Sequence, residues 1–364
     1  MTRPLRARID LDALQANLAL ARAAAPASRV LAVIKADAYG HGMVPVAQAL
    51  AAGVDAFAVA SLDEAAQLRA AGIGARVLVL EGLFGPDERD EALALGLDLV
   101  VHHAGQVEDL ERLRPAAATE HPLRVWLKID TGMHRLGIDP AECGALLARL
   151  QRIPGLVPVA VLSHFACADE PTHPANDRQQ ACFERVAGEG EMARSLANSA
   201  ALLTRPDSHF EWVRPGIMLY GASPLVPEVR CPVDLRPVMQ LVSALIAVRH
   251  CRRGEGVGYG LDWVCPEDMP VGVVAGGYGD GYPRHAPAGT PVLVNGRRVP
   301  LVGRVSMDML CVDLRSQPEA RVGDPVLLWG KGLPVEQLAR AAGTISYELL
   351  CGVTNRVPRL YTRA

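Results

Sequence analysis

Lys35 follows an apolar run, Val30-Leu31-Ala32-Val33-Ile34, and precedes Ala36-Asp37-Ala38-Tyr39-Gly40-His41-Gly42. Consecutive aliphatic residues read as a strand buried on both faces, so the lysine is expected where a core strand gives way to a glycine-spaced loop. An amine set against an apolar wall is poorly hydrated, which leaves its lone pair available as a nucleophile or base. That points to Schiff-base chemistry; the ordinary alternative is a lysine at a strand terminus reaching into solvent. Further on, Lys128, Asp130, Arg135, His164, Asn198, Ser199 and Arg214 each end, follow or lie in a β-rich run. Singly they read as a surface ion pair, a hydrogen-bonded histidine or a structural arginine. Jointly they mark one mouth of a sheet.

The elements that must carry these residues alternate along the first two thirds of the chain. Segments 29–35, 56–61, 76–82, 97–103, 123–130, 157–166, 193–198 and 212–220 read as strands. Helical stretches at 43–52, 62–71, 87–95 and 141–152 lie between them, with Ser61, Asp87 and Asp139 placed to cap. Repeated β-α units over this length predict a closed (β/α)8 TIM-like barrel, with functional residues at the carboxyl ends of its strands; an open doubly wound sheet is the alternative. Beyond Pro224 the texture becomes β-rich, at 238–249, 271–277, 291–294, 298–305, 309–314 and 325–329. A helix at 334–342 and a closing strand at 357–362 complete the reading. The expected division is a barrel over 1–224, its first residues pairing with the second unit, and a mainly-β domain over 225–364.

Composition narrows the function classes. Lys and Arg number 37 against 40 Asp and Glu, a formal charge of −3, so neither nucleic acid nor an electrostatic protein partner is suggested and a small molecule is the expected ligand. No apolar stretch reaches membrane-spanning length, and the basic start leads into Ile9-Asp10-Leu11-Asp12 without a secretory pattern. The eight cysteines are scattered and never form Cys-x-x-Cys, which speaks against zinc and redox sites and fits free thiols in the cytoplasm. No metal is expected.

The chain resembles the alanine racemase family of pyridoxal-phosphate enzymes. The matching segments are Ala32 to Gly42, Lys128-Ile129-Asp130-Thr131-Gly132-Met133-His134-Arg135-Leu136-Gly137, Ser163-His164-Phe165-Ala166, Asn198-Ser199, Arg214-Pro215-Gly216-Ile217, Val257-Gly258-Tyr259-Gly260, Gly277-Tyr278-Gly279-Asp280-Gly281-Tyr282, Gly303-Arg304-Val305-Ser306-Met307-Asp308 and Ile345-Ser346-Tyr347-Glu348. They occur in the family's order over the whole length.

The resemblance implies a racemase that interconverts L-alanine and D-alanine with pyridoxal 5'-phosphate, supplying D-alanine for peptidoglycan or L-alanine for catabolism. Lys35 is then the lysine that links to the cofactor and serves as one acid/base group, and Tyr259 the second on the opposite face. Two groups are needed because inversion removes a proton from one face and returns one to the other. Arg214 matches the residue facing the pyridine nitrogen, where a permanently charged guanidinium keeps that nitrogen unprotonated and weakens the ring as an electron sink. Tyr39, Ser199, Gly216, Ile217 and Tyr347 match the phosphate cup, with Asn198 adjoining. Arg135 is expected at the phenolic oxygen and the substrate, His164 against the ring, and Lys128 at a position often carbamylated. Met307 and Asp308 are expected to contribute substrate contacts; Tyr278, Tyr282, Arg284 and Arg304 match residues lining the way in. The resemblance further implies a head-to-tail homodimer with shared sites. Ser306 and Ser195 depart from residues common in relatives, cysteine and histidine, and tuning is the expected effect. The competing readings are a barrel-type amino-acid decarboxylase, disfavoured by Arg214, and a non-catalytic cofactor carrier, disfavoured by the second domain.

Overall fold

The computed structural model describes residues 3–112, 122–188 and 192–363. Strand β1 (Arg6–Asp10) leads into a helix, Leu11–Ala24, whose N-terminal amides at Asp12 and Ala13 donate to Asp10 Oδ1 at 3.0 and 2.9 Å. Eight parallel strands then close into a barrel: β2 (Arg29–Val33), β3 (Ala56–Val59), β4 (Val77–Val79), β5 (Asp98–Val101), β6 (Leu123–Lys128), β7 (Leu156–Leu162), β8 (Ala193–Asn198) and β9 (Trp212–Arg214), with β9 pairing back to β2. Their side chains are mostly buried, β3, β4, β5 and β9 throughout, as strands covered inside and out must be. The closed barrel therefore replaces the open-sheet alternative.

A charged plug occupies one end of the barrel. The wholly buried Asp98, at the start of β5, accepts from Arg76 Nε and Arg124 Nε at 2.6 Å each and from Trp126 Nε1 at 2.8 Å. A buried carboxylate without such partners would be strongly destabilising. Sealing the amino ends of the strands leaves the carboxyl ends as the open mouth.

The second unit is built on a long, bent strand, β10 (Met239–Cys251). After the short hairpin of β11 (Gly256–Val257) and β12 (Trp263–Val264) come β13 (Met269–Ala275), β14 (Pro291–Val294), β15 (Arg297–Val302), β16 (Met309–Asp313), β17 (Pro325–Trp329) and β18 (Arg359–Thr362). Pairings run from β10 through β13, β16, β15, β14 and β17 back to β10, with register shifts in β10 at Leu241/Val242 and Leu245/Ala247 providing the bend. β1 extends the sheet, antiparallel to β10 and parallel to β18, so both ends of the chain meet on one edge.

Several expected strands stop early, among them those expected to reach 82, 103 and 166, which end at Val79, Val101 and Leu162. β2 ends at Val33 rather than at Lys35, and β9 ends at Arg214 because Pro215-Gly216 breaks the ladder before a 3-10 turn, Ile217–Tyr220. The helix expected from 141 runs Cys143–Leu150, because Asp139 Oδ1 accepts from Ala141 N at 2.8 Å and holds a turn ahead of it.

Candidate active site

The residues after β2 form a turn of unusual hand. Ala36, Asp37, Ala38 and Tyr39 have φ angles of 52, 52, 53 and 52°, a left-handed helical turn within Lys35–Gly40. Left-handed helix costs L-residues roughly 1–2 kcal/mol each, so four in succession persist only where the surroundings impose them. Here Ala36 N donates to Glu64 Oε1 at 2.7 Å, Met43 N to Asp37 Oδ1 at 2.8 Å, and Arg359 Nε to Gly40 O at 2.8 Å. The buried His41 ring sits with Nδ1 at 3.0 Å from Ala38 O and 2.9 Å from Tyr39 O. Gly40 has φ +77°, and a Cβ there would collide with the Leu350 carbonyl. The expectation of a lysine ending a core strand at a glycine-spaced loop is thus corrected: the strand ends at Val33, and Lys35 opens a strained left-handed turn from which both it and Tyr39 line the mouth.

That mouth holds a cavity of about 430 Å³. Lys35, Tyr39, Lys128, Arg135, His164, Asn198, Ser199, Arg214, Gly216, Ile217 and Tyr347 all line it. They come from the ends of five barrel strands, β2, β6, β7, β8 and β9, and, for Tyr347, from the helix Ser346–Cys351 of the second unit. Asp130 does not join them; its carboxylate accepts from the amides of Gly132, Met133 and His134 and shapes the loop that presents Arg135.

One wall is cationic. Arg214 is buried, and burial pushes its pKa down to about 10, still leaving it charged at neutral pH. It donates to Ser195 Oγ at 2.6 Å, to Ser163 O at 2.5 Å and to Leu196 O at 3.2 Å, and its Nη2 lies 3.3 Å from His164 Nδ1. None of these partners is a carboxylate, and Ser195, the departure noted above, passes a hydrogen bond on to Trp212 O at 2.9 Å. Burial first, then the surrounding cations led by Arg214, holds the His164 pKa well below the usual histidine range, so the ring is neutral and Nδ1 can accept from the guanidinium. Lys128 is also buried; burial, then Arg214, Arg135 and Lys35, brings its pKa down to about 8, with Glu81 opposing.

The same cavity also holds a cup of hydroxyls. Ser199 Oγ accepts from Gly216 N at 2.8 Å and Met218 N at 3.4 Å, which turns its own proton toward the cavity. Tyr39 and Tyr347, with ring centroids 5.8 Å apart, have pKa values raised chiefly by burial and remain neutral donors. A Cβ on Gly216 would lie 2.7 Å from Tyr39 Oη, so only glycine leaves the phenol in place. Asn198 caps the helix Ser199–Thr204, accepting from Ala200 N and Ala201 N at 3.1 Å each, and so fixes the residue beside it.

The residues expected from the second unit lie elsewhere in the single chain. Tyr259 begins a 3-10 turn, Tyr259–Leu261, between β11 and β12; it is 67% exposed and does not line the cavity. Met307 and Tyr278 are exposed too, and Arg304 pairs with Asp262. Asp308 is tied to Arg356 Nη2 at 2.5 Å, and that hydrogen bond holds its carboxyl below the usual carboxylate range. Arg284 is at the surface. Tyr282 corrects the reading of it as a residue on the way in: it is 1% exposed, its ring stacked 6.5 Å from Trp329, and no passing molecule touches it.

Glu81, Leu136 and Cys351 line the cavity without having been singled out in the sequence. Glu81, just beyond β4, had a strand-end signal; Cys351 had none, because only the packing of a distant helix brings it there. Among the described residues no group of three or more His, Cys, Asp or Glu side chains is arranged to hold a metal ion, and no helix is long and apolar enough to cross a membrane.

Comparisons with known proteins agree with this architecture. Residues 9–224 match the family model for the alanine racemase N-terminal domain and residues 238–361 that for the alanine racemase C-terminal domain. The chain is 54% identical over 355 residues to the alanine racemase of Nitrosococcus oceani, covering 97% of this chain and 98% of that protein. It is 53% identical over 360 residues to the biosynthetic alanine racemase of Pseudomonas aeruginosa, covering 99% of each. The crystal structure of biosynthetic alanine racemase from Pseudomonas aeruginosa superposes with a TM-score of 0.94, covering 99% of this chain and 100% of that one. With a closed parallel barrel, a β domain and both halves matched in order, the chain belongs to the alanine racemase family.

Proposed function

We propose that the protein interconverts L-alanine and D-alanine, with pyridoxal 5'-phosphate bound in the barrel mouth and with Lys35 and Tyr259 as the two proton-transferring groups. The residues present suit the cofactor: Tyr39, Ser199 and Tyr347 offer neutral hydroxyl donors to a phosphate, with Gly216 and Ile217 beside them, and one wall is cationic. When bound, the cofactor supplies a conjugated ring and an imine that make the amino acid's Cα proton acidic. Lys35 moves that proton at one face of Cα. Tyr259 of a second copy of the chain serves the other face, and its exposed position in a single chain accords with a head-to-tail homodimer. Arg214, charged and surrounded by neutral acceptors, would leave a bound cofactor's ring nitrogen without a proton, which would favour return of the proton to Cα over side reactions such as transamination and disfavours the decarboxylase reading. His164 braces Arg214, and Arg135 would serve the cofactor's ring oxygen and the substrate.

Lys128, kept partly neutral, is suited to capture carbon dioxide and become an anionic partner for Arg135. Met307 and Asp308 would act from the second copy, Asp308 through its backbone and its hold on Arg356, while Tyr278, Arg284 and Arg304 would line the way in. The eight free cysteines accord with the reducing cytoplasm, where D-alanine would enter peptidoglycan precursors.

The observation that carries this reading is that Lys35 lines one cavity with a hydroxyl cup and a cationic wall, with no carboxylate on Arg214. Purified protein with added cofactor should abolish the optical activity of pure L-alanine. Release of carbon dioxide instead would select the decarboxylase; an unchanged signal from both enantiomers would leave only a carrier.

A further inference from the structure

Ser61-Leu62-Asp63-Glu64 has the spacing of a capping box, in which the glutamate bends back to the N-H of the capping residue. Ser61 does cap the helix Leu62–Ala70, accepting from Glu64 N at 3.5 Å. The Glu64 carboxylate, however, goes elsewhere. Its Oε2 accepts from Ala60 N at 2.7 Å, just past the end of β3, and its Oε1 accepts from Ala36 N at 2.7 Å, the amide directly after Lys35.

Ala36 is also the first of the four left-handed residues. The side-chain ties from Asp37, His41 and Arg359 act on the far half of that turn, at Met43 N, at the Ala38 and Tyr39 carbonyls and at Gly40 O. Asp37 is itself held through its carboxylate, by Met43 N and Arg359, but among these ties only that of Glu64 holds the amide directly after Lys35. Lys35 itself is half-buried, so the direction of its ammonium is inherited from its Cα, and a small rotation of the 35–36 peptide is carried out along four methylenes. Short bonds to an ionised acceptor are the kind that fix a peptide plane.

We infer that Glu64 is a positioning residue for Lys35, aiming its amine by clamping the following peptide to the neighbouring barrel strand; the inference rests on Lys35 being the proton-transferring group proposed above. Proton transfer requires near-attack geometry, whereas substrate affinity depends on groups Glu64 does not touch. Glu64→Gln, nearly isosteric, keeps one carbonyl acceptor but turns an N-H donor toward the other amide.

The test compares wild type, Glu64→Gln, Glu64→Asp and Ser61→Ala. In cofactor-free protein, hydrogen–deuterium exchange of the peptide covering 34–42 should quicken in Glu64→Gln and, less so, in Glu64→Asp, and stay at the wild-type rate in Ser61→Ala. In loaded enzyme Glu64→Gln should lower kcat by about 10- to 100-fold with KM changed by less than about threefold. Ser61→Ala, which removes the cap but not the clamp, should leave kcat as it was. Unaltered exchange in 34–42 in both Glu64 variants, or a matching kcat loss in Ser61→Ala, would overturn the inference by showing the carboxylate to be an ordinary helix fixture. Failure of the Lys35 reading shows separately, as a wild type that does not racemise alanine while the exchange comparison still reports on the clamp.

Discussion

At the scale of single residues the site works by withholding charge from some groups and forcing it on others. Burial and three neighbouring cations depress Lys128 to about 8 from the 10.5 of a free lysine. The linkage is of one sign: between these values the unfolded chain holds a proton that the folded one has released. Lys128 therefore weakens the fold below pH 8, and that penalty is relieved as pH rises from about 8 toward 10.5. A neutral amine is also the form of lysine that can take up carbon dioxide. Incorporation of carbon-13-labelled carbon dioxide at Lys128, followed by NMR, should climb as pH passes through about 8 and be lost in Lys128→Gln. A label that is flat with pH, or unaltered by that substitution, would place the chemistry on another lysine. Arg214 shows the converse: burial lowers its pKa to about 10, yet it remains a cation, so its influence is constant over the working range.

At the scale of the element, the left-handed turn after Lys35 decides where the Lys35 and Tyr39 side chains go. Its hand is imposed from outside by Glu64, His41 and Arg359 and by the close approach of Gly40 to the Leu350 carbonyl. Gly40→Ala meets both a positive φ and that carbonyl, and should destabilise by about 2 kcal/mol or more. The expected signature is a lowered urea midpoint with an unchanged m-value, together with weaker cofactor binding as Tyr39 shifts. A midpoint equal to that of wild type would mean that the turn tolerates a side chain and is not held as described.

At the scale of the whole molecule, the single chain brings Lys35 to a cavity and leaves Tyr259 on an exposed hairpin outside it. If each site takes its lysine from one chain and its tyrosine from another, two defective chains can repair each other. Lys35→Ala should be inactive, and Tyr259→Phe should lose roughly 10²- to 10⁴-fold in turnover, the usual range for a positioned acid/base. Dimers reassembled from an equal mixture should regain up to about a quarter of the wild-type rate, one intact site of two in half of the dimers. No recovery after verified subunit exchange would sink the shared-site proposal while leaving the assignment of Lys35 untouched.

The amino-acid sequence alone determined a buried parallel sheet of β-α units, because strands buried on both faces must be continuously apolar and eight such runs alternate with helical segments; that the sheet closes into a barrel was decided by the pairing of β9 back to β2. It also determined that polar residues at the ends of those runs converge, since parallel strands share one carboxyl end. Lys35, Lys128, His164 and Arg214 were legible for that reason. Only the tertiary structure decided the hand of the turn at 36–39, because alanine, aspartate and tyrosine carry no local preference for it and contacts from residues 64, 350 and 359 impose it. Tertiary packing likewise sent the Glu64 carboxylate past its own helix, drew Tyr282 into the core against Trp329, and brought Cys351 to the cavity. Each of these depends on which distant segments meet, and the pattern of a chain read in order records periodicity and spacing but not those meetings.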